Sequence, residues 1–298
     1  MLRPIYLLCL TALACAGPKS NSGTAASGSF TDDTLHLVSD QFVFTEGPAV
    51  AADGSVYFTD QPRNQIWKYD RDGKLSLFLE PAGRANGLYI QEGKILACAD
   101  QDNELWSIDP DGKKSVILKG PPGKAFNGPN DLWIDKQGGI WFTDPYYQRD
   151  YWTRKSADLA YQGVYYLAPG AKQALLLDST MTKPNGIVGS ADGKRLYVSD
   201  IGAGKTYVYR IESPGKLTDR RLFVNQGSDG MTIDRNGNLY LSGKGVTAWD
   251  GEGREAWHVD VPAGWVGNIC FAGVDRNILF ITASKAVYVI RMNTGGIE

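Results

Sequence analysis

The chain has 298 residues, with 31 Lys and Arg against 33 Asp and Glu, a net charge of −2 and two histidines. Its balanced charge, spread along the chain, excludes the basic footprint of a nucleic-acid binder. His36 and His258 are too few for most histidine-rich metal sites.

The first element is a leader. Arg3 precedes an apolar run from Ile5 to Ala14 that is too short to span a bilayer. Ala12-Leu-Ala-Cys15 resembles a bacterial lipobox, so residues 1–15 read as a signal peptide with lipidation at Cys15. Ordinary signal cleavage nearby is the alternative. Residues 16–29, rich in Gly, Ser and Ala, read as a flexible tether. Either route exports the protein to the periplasm or outer surface, with a lipid anchor as its membrane contact. With Cys9 and Cys15 in the leader, Cys98 and Cys270 remain. Both lie in apolar strand runs and read as separate buried thiols.

From residue 30 to residue 298 one phrase recurs. Its openings are Glu46-Gly-Pro, Asn86-Gly-Leu, Asn130-Asp-Leu, Asn185-Gly-Ile, Asp229-Gly-Met and Asn268-Ile-Cys, about 39 to 55 residues apart. A turn follows each opening, and then a second β-rich run. Four of these second runs end in Asp60, Asp100, Asp144 and Asp200. Four β-type runs fit each repeat. In the first they are Pro48–Ala51, Ser55–Thr59, Gln65–Tyr69 and Leu75–Leu79. The last repeat has three, Ile269–Ala272, Ile278–Thr282 and Ala286–Arg291, and Leu35–Val38 is the candidate for its missing strand. The prediction is an all-β, six-bladed β-propeller with four-stranded blades, closed by an N-terminal strand that completes the last blade.

Strand alternation then puts the six opening residues and the four strand-end aspartates at one mouth of the channel. Converging carboxylates repel unless a cation sits among them. Glu46 and Asp229 would balance a divalent charge, and Asn130 and Asn185 would add neutral oxygens. Such hard donors suit one divalent ion, calcium ahead of magnesium, manganese or zinc. Asn86 and Asn268 are available beside them. The loop from Pro145 to Gln162 carries Tyr146, Tyr147, Tyr151, Trp152 and Tyr161. On the same face it would be a lid or an aromatic surface loop. No G-x-S-x-G elbow and no recognisable triad is present, so attack by water is the hydrolytic chemistry left open.

Glu46-Gly-Pro, Gly128-Pro-Asn-Asp131, Lys183-Pro-Asn-Gly186 and Ser228-Asp-Gly-Met231 resemble the signatures of the SMP-30/gluconolactonase/LRE-like family. So does the stretch Gly267–Ala283. The resemblance runs from about Phe44 to the C-terminus and implies a metal-dependent lactone hydrolase. It implies Glu46, Asn130, Asn185 and Asp229 as metal ligands, and Asn127 and Lys183 as substrate contacts; Asn86, from its place at the mouth, is read as a further substrate contact. Phosphotriesterase-type relatives place a histidine in the last blade where Asn268 stands, which counts against a histidine-assisted reaction. The expected substrate is a small sugar-type lactone. Its carbonyl would be polarised by the ion, with Asp229 as proton acceptor and Glu46 as second choice. Hydrolysis of another ester or phosphoester on the same ion is one alternative. A non-catalytic propeller that binds a sugar or a protein is another.

Overall fold

The computed structural model describes residues 30–297. Cys15 and the 16–29 segment lie outside them. Six four-stranded antiparallel sheets follow one another around a ring. The first blade is β2 (Thr45–Val50), β3 (Val56–Asp60), β4 (Gln65–Tyr69) and β5 (Leu75–Leu79). The second is β6 (Ala85–Gln91), β7 (Lys94–Ala99), β8 (Glu104–Ile108) and β9 (Lys114–Leu118). The third is β10 (Leu132–Ile134), β11 (Ile140–Asp144), β12 (Gly163–Leu167) and β13 (Leu175–Asp178). The fourth is β14 (Pro184–Gly189), β15 (Arg195–Asp200), β16 (Lys205–Ser213) and β17 (Lys216–Val224). The fifth is β18 (Met231–Ile233), β19 (Leu239–Gly243), β20 (Gly245–Trp249) and β21 (Glu255–Val259). The last is β22 (Val266–Ala272), β23 (Ile278–Ala283) and β24 (Ala286–Arg291), with β1 (His36–Ser39) paired to β24.

Burial falls outward within each blade. The axial strands β10, β14, β18 and β22 are buried throughout, whereas β5 and β9 at the rim are half exposed. The cause is stacking, since only the inner strands are covered on both faces by neighbouring blades. Trp133 and Trp141 of the third blade pack with Ile187, Leu196 and Val198 of the fourth and with Met231 and Leu239 of the fifth. Tight hairpin turns use a repeated device on the far side. Asp234 Oδ1 accepts from the N–H groups of Asn236 and Asn238 at 2.9 Å each, and Gly237 supplies the left-handed residue, with φ 85°. Asp70 and Gly73 do the same in the first blade.

One register differs from the sequence reading. The Gly87 N–H donates to the Asn130 carbonyl at 2.7 Å, and the Gly230 N–H donates to the Gly267 carbonyl at 2.8 Å. Gly267 therefore holds the sixth opening position and Asn268 the next one. Asn268 matches Asp131 instead. Each side chain accepts from the following N–H, Ile269 at 2.8 Å and Leu132 at 3.0 Å. A step of one residue along a strand turns a side chain to the other face. The sixth oxygen is thus not at the mouth. Asn268 Nδ2 lies 3.4 Å from Asp131 Oδ2, and both line a narrow cavity deeper in the channel.

Candidate active site

Glu46, Asn86, Asn130 and Asp229 line one cavity of about 330 Å³, together with Phe44, Gln61, Pro62, Tyr147 and Arg149. That volume is in the range of small-molecule pockets. The repeat places the polar side chains. Each opens the innermost strand of its blade, where the chain enters from the loop at the mouth. Asn185 joins through Asp229, as its Nδ2 donates to Asp229 Oδ1 at 2.8 Å and to the Tyr147 hydroxyl oxygen at 3.0 Å. The other carboxylate oxygen, Asp229 Oδ2, accepts from Trp265 Nε1 at 2.6 Å. Glu46 Oε2 accepts from the Gly47 N–H at 3.0 Å. Gly267 leaves room beside it, because a Cβ there would lie 3.0 Å from Glu46 Cδ.

The electrostatics are those of two acids forced together. Burial, and then the charge of Asp229, push the Glu46 carboxyl well above its ordinary range. Burial pushes Asp229 up to about 6, against the pull of the Trp265 and Asn185 donors and of Arg149. Burial and the Asp229 charge also push the Tyr147 phenol up, so it stays protonated. Arg149 is the pocket's cation, but its Nε is already paired with Asp100 Oδ2 at 2.9 Å. The donor set fits a divalent hard ion: two carboxylates short of positive charge, with amide oxygens from Asn130 and Asn185 beside them. Among the described residues no group of three or more His, Cys, Asp and Glu side chains forms, so the amides would have to complete the shell.

The other expected residues sit elsewhere. Asn127 is fully buried, and its Nδ2 donates to the carbonyls of Asp144 at 3.2 Å and Tyr161 at 2.8 Å. It braces the 145–162 loop from below and does not line the cavity. The Lys183 Nζ lies over the Tyr147 ring, 4.4 Å from its centroid, at the rim of the site. The strand-end aspartates do not crowd the mouth as a set. Asp60 accepts from the Val43 and Phe44 N–H groups, Asp144 from Asn127 and Gly128, and Asp200 from Thr182 and Lys183. Each clamps the entry loop of its own blade. The aromatic loop does reach the mouth, bringing Tyr147 and Arg149. Arg149 and Trp265 were missed from sequence. Both lie in loops that strand alternation assigns to the mouth, and that was the available signal.

Fold and site together define a six-bladed propeller with an acidic, amide-rich pocket at one end of its axis. The chain belongs to the family described as SMP-30/Gluconolactonase/LRE-like region, which matches residues 44–285. It is 32% identical over 297 residues to a gluconolactonase of Zymomonas mobilis, covering 88% of this chain and 82% of that one. It is 30% identical over 208 residues to the lactonohydrolase oryL of Aspergillus oryzae, covering 60% of this chain and 48% of the relative. Among solved structures, a gluconolactonase of Xanthomonas campestris superposes with a TM-score of 0.83 at 28% identity, covering 90% of this chain and 92% of the other.

Proposed function

We propose that this chain is a metal-dependent hydrolase that opens sugar-type lactones. The carrying observation is the pairing of two carboxylates, the buried Glu46 and the half-buried Asp229, in one cavity with Asn130 and, through Asp229, Asn185. The gluconolactonase and lactonohydrolase relatives support the substrate class. Glu46, Asn130, Asn185 and Asp229 would hold the ion, with calcium the best match to their oxygens. A bound ion would supply Lewis acidity toward a lactone carbonyl.

The chain's own groups do the rest. Trp265 and Asn185 each donate to one oxygen of Asp229 and so hold the carboxylate at a set angle. An oxygen has a second lone pair, so Asp229 can still accept the proton of the attacking water. Glu46 is the second choice for that role. Tyr147, protonated and fixed by Asn185, presents an O–H at the pocket wall as a donor to substrate oxygens.

The test is acid release from a panel of sugar lactones. Protein stripped of metal is assayed, then restored separately with calcium, magnesium, manganese or zinc. Activity should return with at least one ion. With the ion saturating, Asp229→Asn should turn over lactone about 100-fold or more slowly, as expected for a lost general base, while still binding it. Acid release at the wild-type rate in that variant would move the base elsewhere. No release with any of the four ions would end the lactonase reading.

A further inference from the structure

Asp60, Asp144 and Asp200 share one task, each fastening the loop that enters its own blade. Asp100 follows β7 at the equivalent place and has a different one. In the second blade the counterpart N–H, that of Arg84, donates to Asn64 Oδ1 at 2.6 Å, and the Ala82 N–H donates to the same oxygen at 2.9 Å. The Asp100 carboxylate is thereby free for other partners. Its Oδ2 accepts from Arg149 Nε at 2.9 Å, from Gln61 Nε2 at 3.3 Å and from the Tyr151 hydroxyl. Its backbone carbonyl accepts from Trp152 Nε1 at 3.1 Å. Gly128 makes the approach possible, since a Cβ there would lie 2.5 Å from Asp100 Oδ1.

Three blades thus meet on one buried carboxylate, and two of its partners, Arg149 and Gln61, line the cavity with Glu46 and Asp229. The Arg149 guanidinium lies 5.3 Å from the centroid of the Tyr147 ring, whose hydroxyl is bonded to Asn185. Arg84 packs on Tyr151 at 4.4 Å and backs the loop from the other side. A buried charge held by several donors is costly unless all are in place, so such a cluster selects one arrangement of its segments. Here the segment selected is the loop that brings Tyr147 and Arg149 to the pocket.

We propose that Asp100 is a positioning residue: it latches the 145–162 loop across the mouth and sets Arg149 and Tyr147 against a substrate held at Glu46 and Asp229. It acts through Arg149 and Tyr151 and touches no reacting atom. The kinetic side of this rests on the lactone-hydrolase reading above.

The experiment uses the full chain with Asp100→Asn, Arg149→Gln and the double variant, assayed on a hydrolysed lactone and by timed trypsin digestion. Asp100→Asn should lower kcat/KM about tenfold, chiefly by raising KM, and Arg149→Gln by about tenfold or more. The double variant should be no worse than Arg149→Gln, because the two act as one unit. Cleavage after Arg154 and Lys155 should run at least about tenfold faster in Asp100→Asn, reporting a released loop. Wild-type kinetics in Asp100→Asn, or losses that multiply in the double variant, would overturn the proposal. If the wild-type chain opens no lactone, the functional reading fails, and digestion alone decides the latch: an unchanged cleavage rate sinks it. Should Asp100→Asn not fold, Arg149→Gln and Tyr151→Phe probe the same contact from the loop side. Each must then speed cleavage, or the latch is wrong.

Discussion

The surroundings of Glu46 and Asp229 disfavour their ionised forms. Folded Asp229 titrates at about 6 against an ordinary 3.8, and Glu46 is raised too. Groups raised on folding hold protons more tightly in the native state. The contribution of Asp229 is therefore full below about pH 4 and is lost as pH rises through about 6, and Glu46 acts in the same direction. Asp144, raised by burial to about 7, adds to the same trend but lies outside the proposed ion shell. Protein stripped of metal should melt lower at pH 8 than at pH 5, by roughly 5 °C or more. Saturating calcium should raise the melting temperature more at pH 8, where Asp229 is ionised. Scanning calorimetry over that range is the check, and a chelated protein that is equally stable at both pH values would contradict the burial of these acids. At this scale the sequence located Glu46, Asn86, Asn130 and Asp229 through their shared place in the repeat. It did not separate Asp100 from Asp60, Asp144 and Asp200. All four end or follow a similar strand, and whether an acid meets its own blade's entry loop or, like Asp100, side chains of other blades is decided by loops distant in sequence.

Among elements, β1 matters most relative to its length. It covers the outer edge of β24, and the segment before it adds Phe30, stacked on Trp257 with centroids 6.0 Å apart, and the Arg291 N–H bonded to Asp33. An uncovered β24 would be an open edge available to other chains. Deleting residues 30–39 should lower the melting temperature by several degrees, roughly the effect of a few kcal/mol in a chain of this size, and promote aggregation. An unchanged melting curve would mean that this strand does not close the ring. Strand existence was readable because alternation and turn residues are local. The sixth innermost strand was read one residue out of register, as Gly267 offers no side chain to mark its place and Asn268 imitates the pattern next to it.

For the whole molecule the ring is what makes a site. Glu46 and Asp229 are far apart in the chain and come from the first and fifth blades, yet line one cavity because every blade points its innermost strand at the same axis. Beyond the ring, we hold to export and lipidation at Cys15 as a proposal from the leader. Cys15→Ser should leave the protein without a lipid and release it from the membrane, or leave its leader uncleaved. Intact-mass analysis of membrane-extracted wild-type protein is the measurement, and a mature chain with another first residue and no lipid would refute it. By itself, the sequence determined the number of blades, the strand pattern and the acid and amide positions that face the axis. Each of these is written in period and alternation, which short-range sterics and burial impose on any chain that folds. Tertiary structure alone decided that Asn127 is a buried brace, that Trp265 and Asn185 hold Asp229, and that Asp100 holds the loop over the pocket. The Asn127 contacts join distant loops of one blade and the others join residues from different blades, and no local pattern encodes a partner that only folding of the blade or closure of the ring brings within reach.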